Sequence, residues 1–554
     1  VQTPPPPPPR AERLERLSGT RAAPLDALVV GGGITGAGVA LDLAARGLSV
    51  ALVEQHDFAG HTSSASSRLI HGGLRYLEQF AFGLVRESCL ERAWLLRHAA
   101  GLVWPEEFAF PLEAGGRVGR LRLAAGLGLY TLLSLPRPLG LPRLIGRRNL
   151  ERRLPGLKRA PARAAIGAGL YLDGATDDSR LCLAVVRSAE QLGALCLSRV
   201  RFEGLERSSD GLRAHLVDLL EPGRGLEVEA RRLVLCGGPF SDGLRAQAGL
   251  AGRWIAATRG IHVVLERDRF PTQGAFIFTS KLDGRAMFVI PWANRTILGT
   301  TDVDAAPGSD VAASAAEVDY LLESANQLCP GAALGRSDVV STWAGLRPLL
   351  HADGSPSARS REERLEVDGP IYTLAGGKLT AFRAMAEPLG ARLARDLGRG
   401  DPSRRSPTRG LSLWGALDRQ VDLPAWSRWP GLDGQPPVEE QLWGWALERR
   451  YARLAPLVRQ RAASSQALDA ETRAAEIDWA VEQEHCLSAE DFLVRRTDLG
   501  YAPLAELDRC LPQVFARLSA ALGWGPAELA REHEAVGALL ERLHGWRNGR
   551  GPGA

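Results

Sequence analysis

The sequence is short of lysine. Only Lys158, Lys281 and Lys378 stand among its 68 basic residues. The rest are arginine, so a lysine that persists is a candidate for work a guanidinium cannot do. Charge of one sign is lacking as well: 68 basic against 64 acidic residues leave a net +4, too even for nucleic acid as the main ligand. Cysteine is sparse. Cys89, Cys182, Cys196, Cys236, Cys329, Cys486 and Cys510 form no CxxC pair and no metal spacing. That argues against a metal centre and for reduced thiols in a reducing, cytoplasmic setting. No apolar run is long. The stretch 121–135 is broken by Arg122, Gly126 and Gly128 and falls short of the roughly 20 residues a bilayer span needs. The Pro4 to Pro9 tract and the charged segment after it lack the apolar core of a signal peptide. Their composition predicts a disordered Pro-rich tail with a lead helix over 1–23.

What is present is an α/β pattern on a chain of 554 residues, long enough for two or three domains, some of them discontinuous. Residues 25–30 are apolar and end on β-branched side chains, as a buried parallel strand does. GGGITG follows at 31–36, then helical spacing over 37–45, then a second apolar strand, 50–53, closing on Glu54. Gly31 makes a tight turn, Gly33 lets the backbone approach a pyrophosphate, and Gly36 lets the helix pack on the strand. The helix start offers free N–H groups to phosphates, and Glu54 accepts hydrogen bonds from a ribose. The unit predicts a dinucleotide site without separating FAD from NAD. No second such motif occurs, so an added nicotinamide site is not expected. Another apolar strand, 233–235, runs into a small-residue turn containing Gly238 that can lie against the cofactor.

TSSASSRLIHGGLRYLE, Thr62 to Glu78, follows this unit directly. A surface linker uses hydroxyls and glycine but not Leu69, Ile70, Leu74 and Leu77, so the stretch wraps something. Taken with GGGITGAG, IPWANRTILGTTD (290–302), WAGLRPL (343–349), AGGKLTAFRAMAE (375–387) and SAEDFLVRRTDLGY (488–501), it resembles the FAD-dependent glycerol-3-phosphate dehydrogenases in wording and in order. The resemblance runs from about residue 25 to 501. It implies a Rossmann-like FAD-binding domain interleaved with a substrate-binding β-sheet subdomain over 24–397, and a C-terminal α-helical cap domain over 410–546. Oxidation of sn-glycerol 3-phosphate to dihydroxyacetone phosphate is the implied activity, with electrons passed to a quinone-type acceptor. An amine or hydroxy-acid oxidase of the same superfamily is the alternative.

The resemblance also implies roles. Thr62, Ser63, Ser64, Ser66 and Ser67 cradle the pyrophosphate and inner flavin, and Gly72 and Gly73 let the main chain pass close to the ring. Gly376, Gly377, Leu379 and Thr380 complete the cofactor wall, and Arg75 and Tyr76 emerge on the substrate side. Chemistry adds the rest: a secondary alcohol needs a base, and its phosphate needs cations. His262 is the candidate base, because imidazole titrates near working pH. Arg347 and Arg75 are the candidate phosphate clamp. Lys378, after two glycines at an apparent helix start, suits substrate oxygens and the anionic reduced flavin. Arg383 is left between supporting that site and pairing with an acid, and Thr300, Thr301 and Asp302 shape the pocket. The sequence departs from the family where Arg68 replaces the commoner lysine, where the turn at 236–240 lacks the usual side chains, and where Phe382 replaces tyrosine.

Beyond 397 a Pro/Ser/Arg-rich linker, 401–409, leads to helical periodicity at 439–454 and 467–484. The basic, Leu-rich segment 117–148 suits either a membrane surface on the inner face of the cytoplasmic membrane, or a buried hairpin or homodimer face; the two stay open.

Overall fold

The strand Ala27–Val30 is buried along its whole length because both its edges and both its faces are covered. It pairs in parallel with Val50–Glu54 on one side and Leu233–Leu235 on the other. Ala27 and Val29 point to a helical layer, while Leu28 and Val30 point to a three-stranded antiparallel sheet. A run apolar at every position, rather than at alternate ones, is what such two-sided burial selects. The computed structural model describes residues 3–21, 23–113, 115, 118–159, 165–208, 211–221, 223–308, 311–351, 362–418, 446–462 and 470–548.

The first sheet has six strands, with Ala27–Val30 and Val50–Glu54 near one end and Leu233–Leu235 and Ile371–Gly376 on the other side of the first strand. The helix Ile34–Ala45 packs between this sheet and the helices Asp178–Gln191 and Phe382–Leu397. Its small residues permit the contact: a Cβ at Gly38 would lie 2.6 Å from the Phe382 ring. A ten-stranded mixed sheet forms the second body. There Thr258–Glu266 lies between Arg295–Gly299 and Val339–Arg347, which sets His262 opposite both Gly299 and Trp343, and Thr258 opposite Arg347. Register therefore brings residues from three distant segments to one place.

The described part of the C-terminal region is helical: Ala455–Arg461, Ala470–Gln483, Leu504–Leu522 and Pro526–His544. Leu507, Val514, Leu518, Val536 and Leu539 form its core. The helix expected over 439–454 is described from 446 onward, and 439–445 lie outside the described residues, as do 467–469. Arg495 and Arg496 both donate to the fully buried Asp57, at 2.6 and 2.8 Å, and so clamp this region to the dinucleotide-binding sheet.

The amino-terminal tail departs from expectation. Arg10–Ser18 is a helix with Leu14 and Leu17 buried, and the proline tract before it is held rather than disordered: the Pro5 carbonyl accepts from Arg187, and the Pro8 carbonyl from Arg13. Arg10 donates to Asp218 at 2.7 Å and Arg13 to the Cys196 carbonyl at 2.6 Å. Composition could not foresee partners nearly two hundred residues away. The linker 401–409 is likewise pinned, by Arg46 on the Asp401 and Ser403 carbonyls.

Candidate active site

A cavity of about 300 Å³ lies between the two sheets, lined by Glu54, Arg347 and Gly376–Thr380 among others. One wall is the glycine turn. Gly31 takes φ +110°, and a Cβ there would stand 2.4 Å from the Cys236 carbonyl. At Gly36 a Cβ would stand 1.8 Å from the Gly31 carbonyl, so helix and strand approach only because both positions lack one. Gly33 faces the cavity, where an added Cβ would crowd the Ser63 hydroxyl at 3.2 Å. That hydroxyl accepts from the Ile34 amide at the helix start. Glu54 is aimed by two amides, Gly32 at 2.7 Å and His56 at 2.8 Å. Burial pushes its carboxyl upward while those amides oppose the shift.

Helix-start amides, the hydroxyls of Thr62, Ser63, Ser66 and Ser67, and the Glu54 carboxylate are the donor and acceptor set a bound FAD requires. Gly238, Gly376, Gly377, Leu379 and Thr380 line the same space. Gly376 and Gly377 take φ +81° and +79°, and side chains there would strike the Glu362 carbonyl and Met385.

The lining also carries positive charge. Arg347 donates to Asp302 at 3.1 Å and to Thr300 at 2.8 Å. Gly260 makes room for it, since a Cβ there would lie 2.1 Å from Nη2. Lys378 sits in extended backbone just before the turn Leu379–Ala381, with Nζ 4.0 Å over the Tyr76 ring and 3.4 Å from the Ser88 hydroxyl. His262 is buried. Its Nε2 meets the Ser67 hydroxyl at 2.8 Å, its ring stacks on Trp343 at 4.9 Å, and its Nδ1 has no hydrogen-bond partner among the described residues. Burial, with Arg347 and Arg68 nearby, pushes its pKa down to about 3, so the imidazole is neutral and does not titrate near working pH as its residue type alone suggests.

Arg347, Lys378, Tyr76 and His262 thus share one cavity, but four expected residues stand apart from it. Arg75 is exposed and outside the lining, because the tight turn Leu74–Gln79 directs Tyr76 inward and its neighbour outward. Gly72 and Gly73 are also outside it. A Cβ at Gly72 would meet Cys89 at 2.3 Å and Tyr130 at 2.5 Å, and Gly73 is left-handed at φ +80°, so packing and turn geometry account for both. Ser64 turns inward to the His61 carbonyl. Arg383 resolves as a buried ion pair with Glu91 and Glu387. Thr300 and Asp302 hold Arg347, whereas Thr301 bonds Glu317. His71, half-buried in the lining, was missed. Its signal was available: an imidazole between an apolar pair and two glycines, inside the stretch that wraps the ligand.

Sheet, glycine turn and charged lining together define a flavin-dependent oxidoreductase. Residues 26–385 match the family described as FAD dependent oxidoreductase, and 438–529 match the C-terminal domain of alpha-glycerophosphate oxidase. The aerobic glycerol-3-phosphate dehydrogenase of Staphylococcus aureus (strain MRSA252) is 30% identical over 544 residues, covering 94% of this chain and 95% of that protein. The structure of the glycerol-3-phosphate dehydrogenase from Bacillus halodurans complexed with FAD superposes with a TM-score of 0.75 at 26% identity, covering 96% of this chain and 97% of that one. The chain belongs to the FAD-dependent glycerol-3-phosphate dehydrogenase family. L-alpha-glycerophosphate oxidase from Mycoplasma pneumoniae with FAD bound shares the fold, with a TM-score of 0.53 at 19% identity over 68% of this chain.

Proposed function

We propose that the protein oxidises sn-glycerol 3-phosphate to dihydroxyacetone phosphate, with FAD as the acceptor. The observation that supports this reading is that Arg347 and Lys378, 31 positions apart in sequence, line with His71 and His262 the same cavity as the glycine turn. FAD, which the glycine turn and the hydroxyls of Thr62 and Ser63 would hold, would supply two-electron oxidising capacity. The chain's own residues do the remainder. Arg347, aimed by Asp302 and Thr300, grips the phosphate through its planar fork. Lys378 offers a compact charge to the substrate oxygens and to negative charge developing beside it. The hydroxyl proton goes to an imidazole. His262, held neutral by burial and by two guanidiniums, keeps a proton poorly; His71, half-buried in the same lining, is the acceptor this reading assigns. Tyr76, under the Lys378 ammonium, closes the cavity beside it against water.

Anaerobic mixing tests the reading. Glycerol 3-phosphate should bleach the yellow protein, and glycerol or amino acids should not. Bleaching by an amine or hydroxy acid instead would favour the oxidase alternative, in which Arg347 grips a carboxylate.

The electron acceptor follows from a separate surface. The helix Arg120–Leu133 buries Leu123, Leu127 and Tyr130 but leaves Leu121 88% exposed; Phe80, at 78%, and Leu141, at 84%, are exposed as well. Arg120, Arg122 and Arg137 are exposed too. No helix among the described residues is long and apolar enough to cross a membrane, and exposed apolar side chains with exposed arginines in the same segment suit the surface of an anionic bilayer, where a quinone-type acceptor resides. Co-sedimentation with anionic vesicles, lost in Leu121→Glu, supports this; a concentration-dependent dimer abolished by the same change would assign the face to a second copy.

A further inference from the structure

Arg68 follows directly on Ser67, whose hydroxyl meets His262. Its backbone is left-handed at φ +57°, a strained conformation for a residue with a Cβ, which persists only where the surroundings fix it. The surroundings come from far along the chain. The guanidinium is 2% exposed and lies 4.2 Å over the Trp292 ring, 5.2 Å from Trp343 and 5.5 Å from Tyr501. Its Nη1 donates to Asp498 at 2.7 Å, and the other oxygen of Asp498 accepts from Trp292 Nε1 at 3.1 Å. Trp343 in turn lies flat on the His262 ring, with an interplanar angle of 19°. A continuous stack therefore runs from Asp498 through Arg68 and Trp343 to His262. Neither Arg68 nor Asp498 lines the oxidation cavity.

We infer that Asp498 is a positioning residue for the oxidation site, acting through Arg68 on Ser67 and on the Trp343–His262 stack. The C-terminal region thereby sets the shape of a cavity to which it contributes no lining residue among those described. The inference rests on reading that cavity as the site of oxidation. Burial alone would raise the Asp498 carboxyl, but Arg68 and Arg450 outweigh it and hold the group below the ordinary carboxylate range. Asn at this position therefore removes a charge at nearly constant shape. The charged groups acting on His262 are Arg347 and Arg68, so loss of the Asp498 charge leaves Arg68 less compensated and the imidazole still harder to protonate.

The experiment uses the full-length FAD-loaded protein. Asp498→Asn should keep its flavin and leave KM for glycerol 3-phosphate within about twofold, while flavin reduction slows at least ~10-fold, the effect of a slightly misplaced wall. Arg68→Lys should retain most of the rate that Arg68→Met loses. The double variant Arg68→Met/Asp498→Asn should be no slower than Arg68→Met alone, because both break one link. Hydrogen exchange of the substrate-free protein gives a readout independent of turnover: Asp498→Asn should raise exchange over 63–70 and leave 34–45 unchanged. Unaltered exchange over 63–70, additive rate losses, or losses that track flavin content would each overturn the inference. If glycerol 3-phosphate fails to reduce the wild type, the functional reading falls, and the exchange result still decides the link between Asp498 and the loop.

Discussion

Arg347 and Asp302 form an ion pair of 3.1 Å at the cavity wall, and Gly260 lies directly beneath the guanidinium. The carboxylate sets the direction of the fork, and the missing side chain gives it space. Arg347→Met is expected to lower kcat/KM for glycerol 3-phosphate by roughly 10²–10³-fold, the scale of losing one charge-stabilising donor. Gly260→Ala should do comparable damage without touching the arginine. Steady-state kinetics check both, and an unchanged kcat/KM in either would refute the clamp.

Under the proposed reading Lys378, which rests on Tyr76 and Ser88, serves the substrate more than cofactor retention. Lys378→Ala should leave the purified protein yellow and cut turnover by about 10²-fold or more. A colourless variant would show that the lysine holds FAD instead.

The two imidazoles separate by their pH behaviour. With His71 as proton acceptor, His71→Asn should remove the acid limb of the kcat/KM profile, the limb on which activity rises as the base loses its proton. His262→Asn should lower the rate but keep that limb. The opposite pattern would return the role to His262.

Acid stability should report the buried histidines. Burial lowers His262 to about 3 and His61 to about 4, against about 6.5 in the unfolded chain. Between those values the unfolded state binds more protons, so stability is full above pH ~6.5 and falls as pH drops, by up to about 1.4 kcal/mol per pH unit for each group. Thermal melts of the substrate-free protein from pH 7 to 4 should show this loss, with a shallower slope in His262→Asn; an identical slope would sink the argument.

Asp57→Ala should loosen the C-terminal region. It removes the carboxylate that Arg495 and Arg496 share, leaving Arg495 to Asp491 and Glu490 and Arg496 to the Glu484 carbonyl, so the loss should stay below the roughly 3–5 kcal/mol of a fully broken buried pair. Hydrogen exchange over 470–548 should rise, and unchanged protection there would mean that the apolar contacts alone hold the region in place.

Some of this was readable from residue order. The turn between Val30 and Ile34 was, because the spacing of Gly31, Gly33 and Gly36 answers to one local geometry. Lys378 stood out because lysine is scarce, and it lines the cavity. Gly72 was misread, since a glycine records that a Cβ is unwelcome without saying what excludes it; here Cys89 and Tyr130 do. Arg75 was misread because neighbours on a tight turn point in different directions, which spacing alone does not resolve. The bond between Arg68 and Asp498 joins residues 430 positions apart, and no local pattern marks either as the partner of the other.

The parallel sheet imposes an order of events on biosynthesis. Ala27–Val30 leaves the ribosome early, yet two of the strands that complete its sheet, Leu233–Leu235 and Ile371–Gly376, are made far later. Until then a strand apolar on both faces has only Val50–Glu54 beside it and lacks its other neighbour, a situation that favours slow maturation and capture by chaperones. Chains truncated before residue 376 should accumulate as aggregates without flavin, whatever the integrity of their glycine motif.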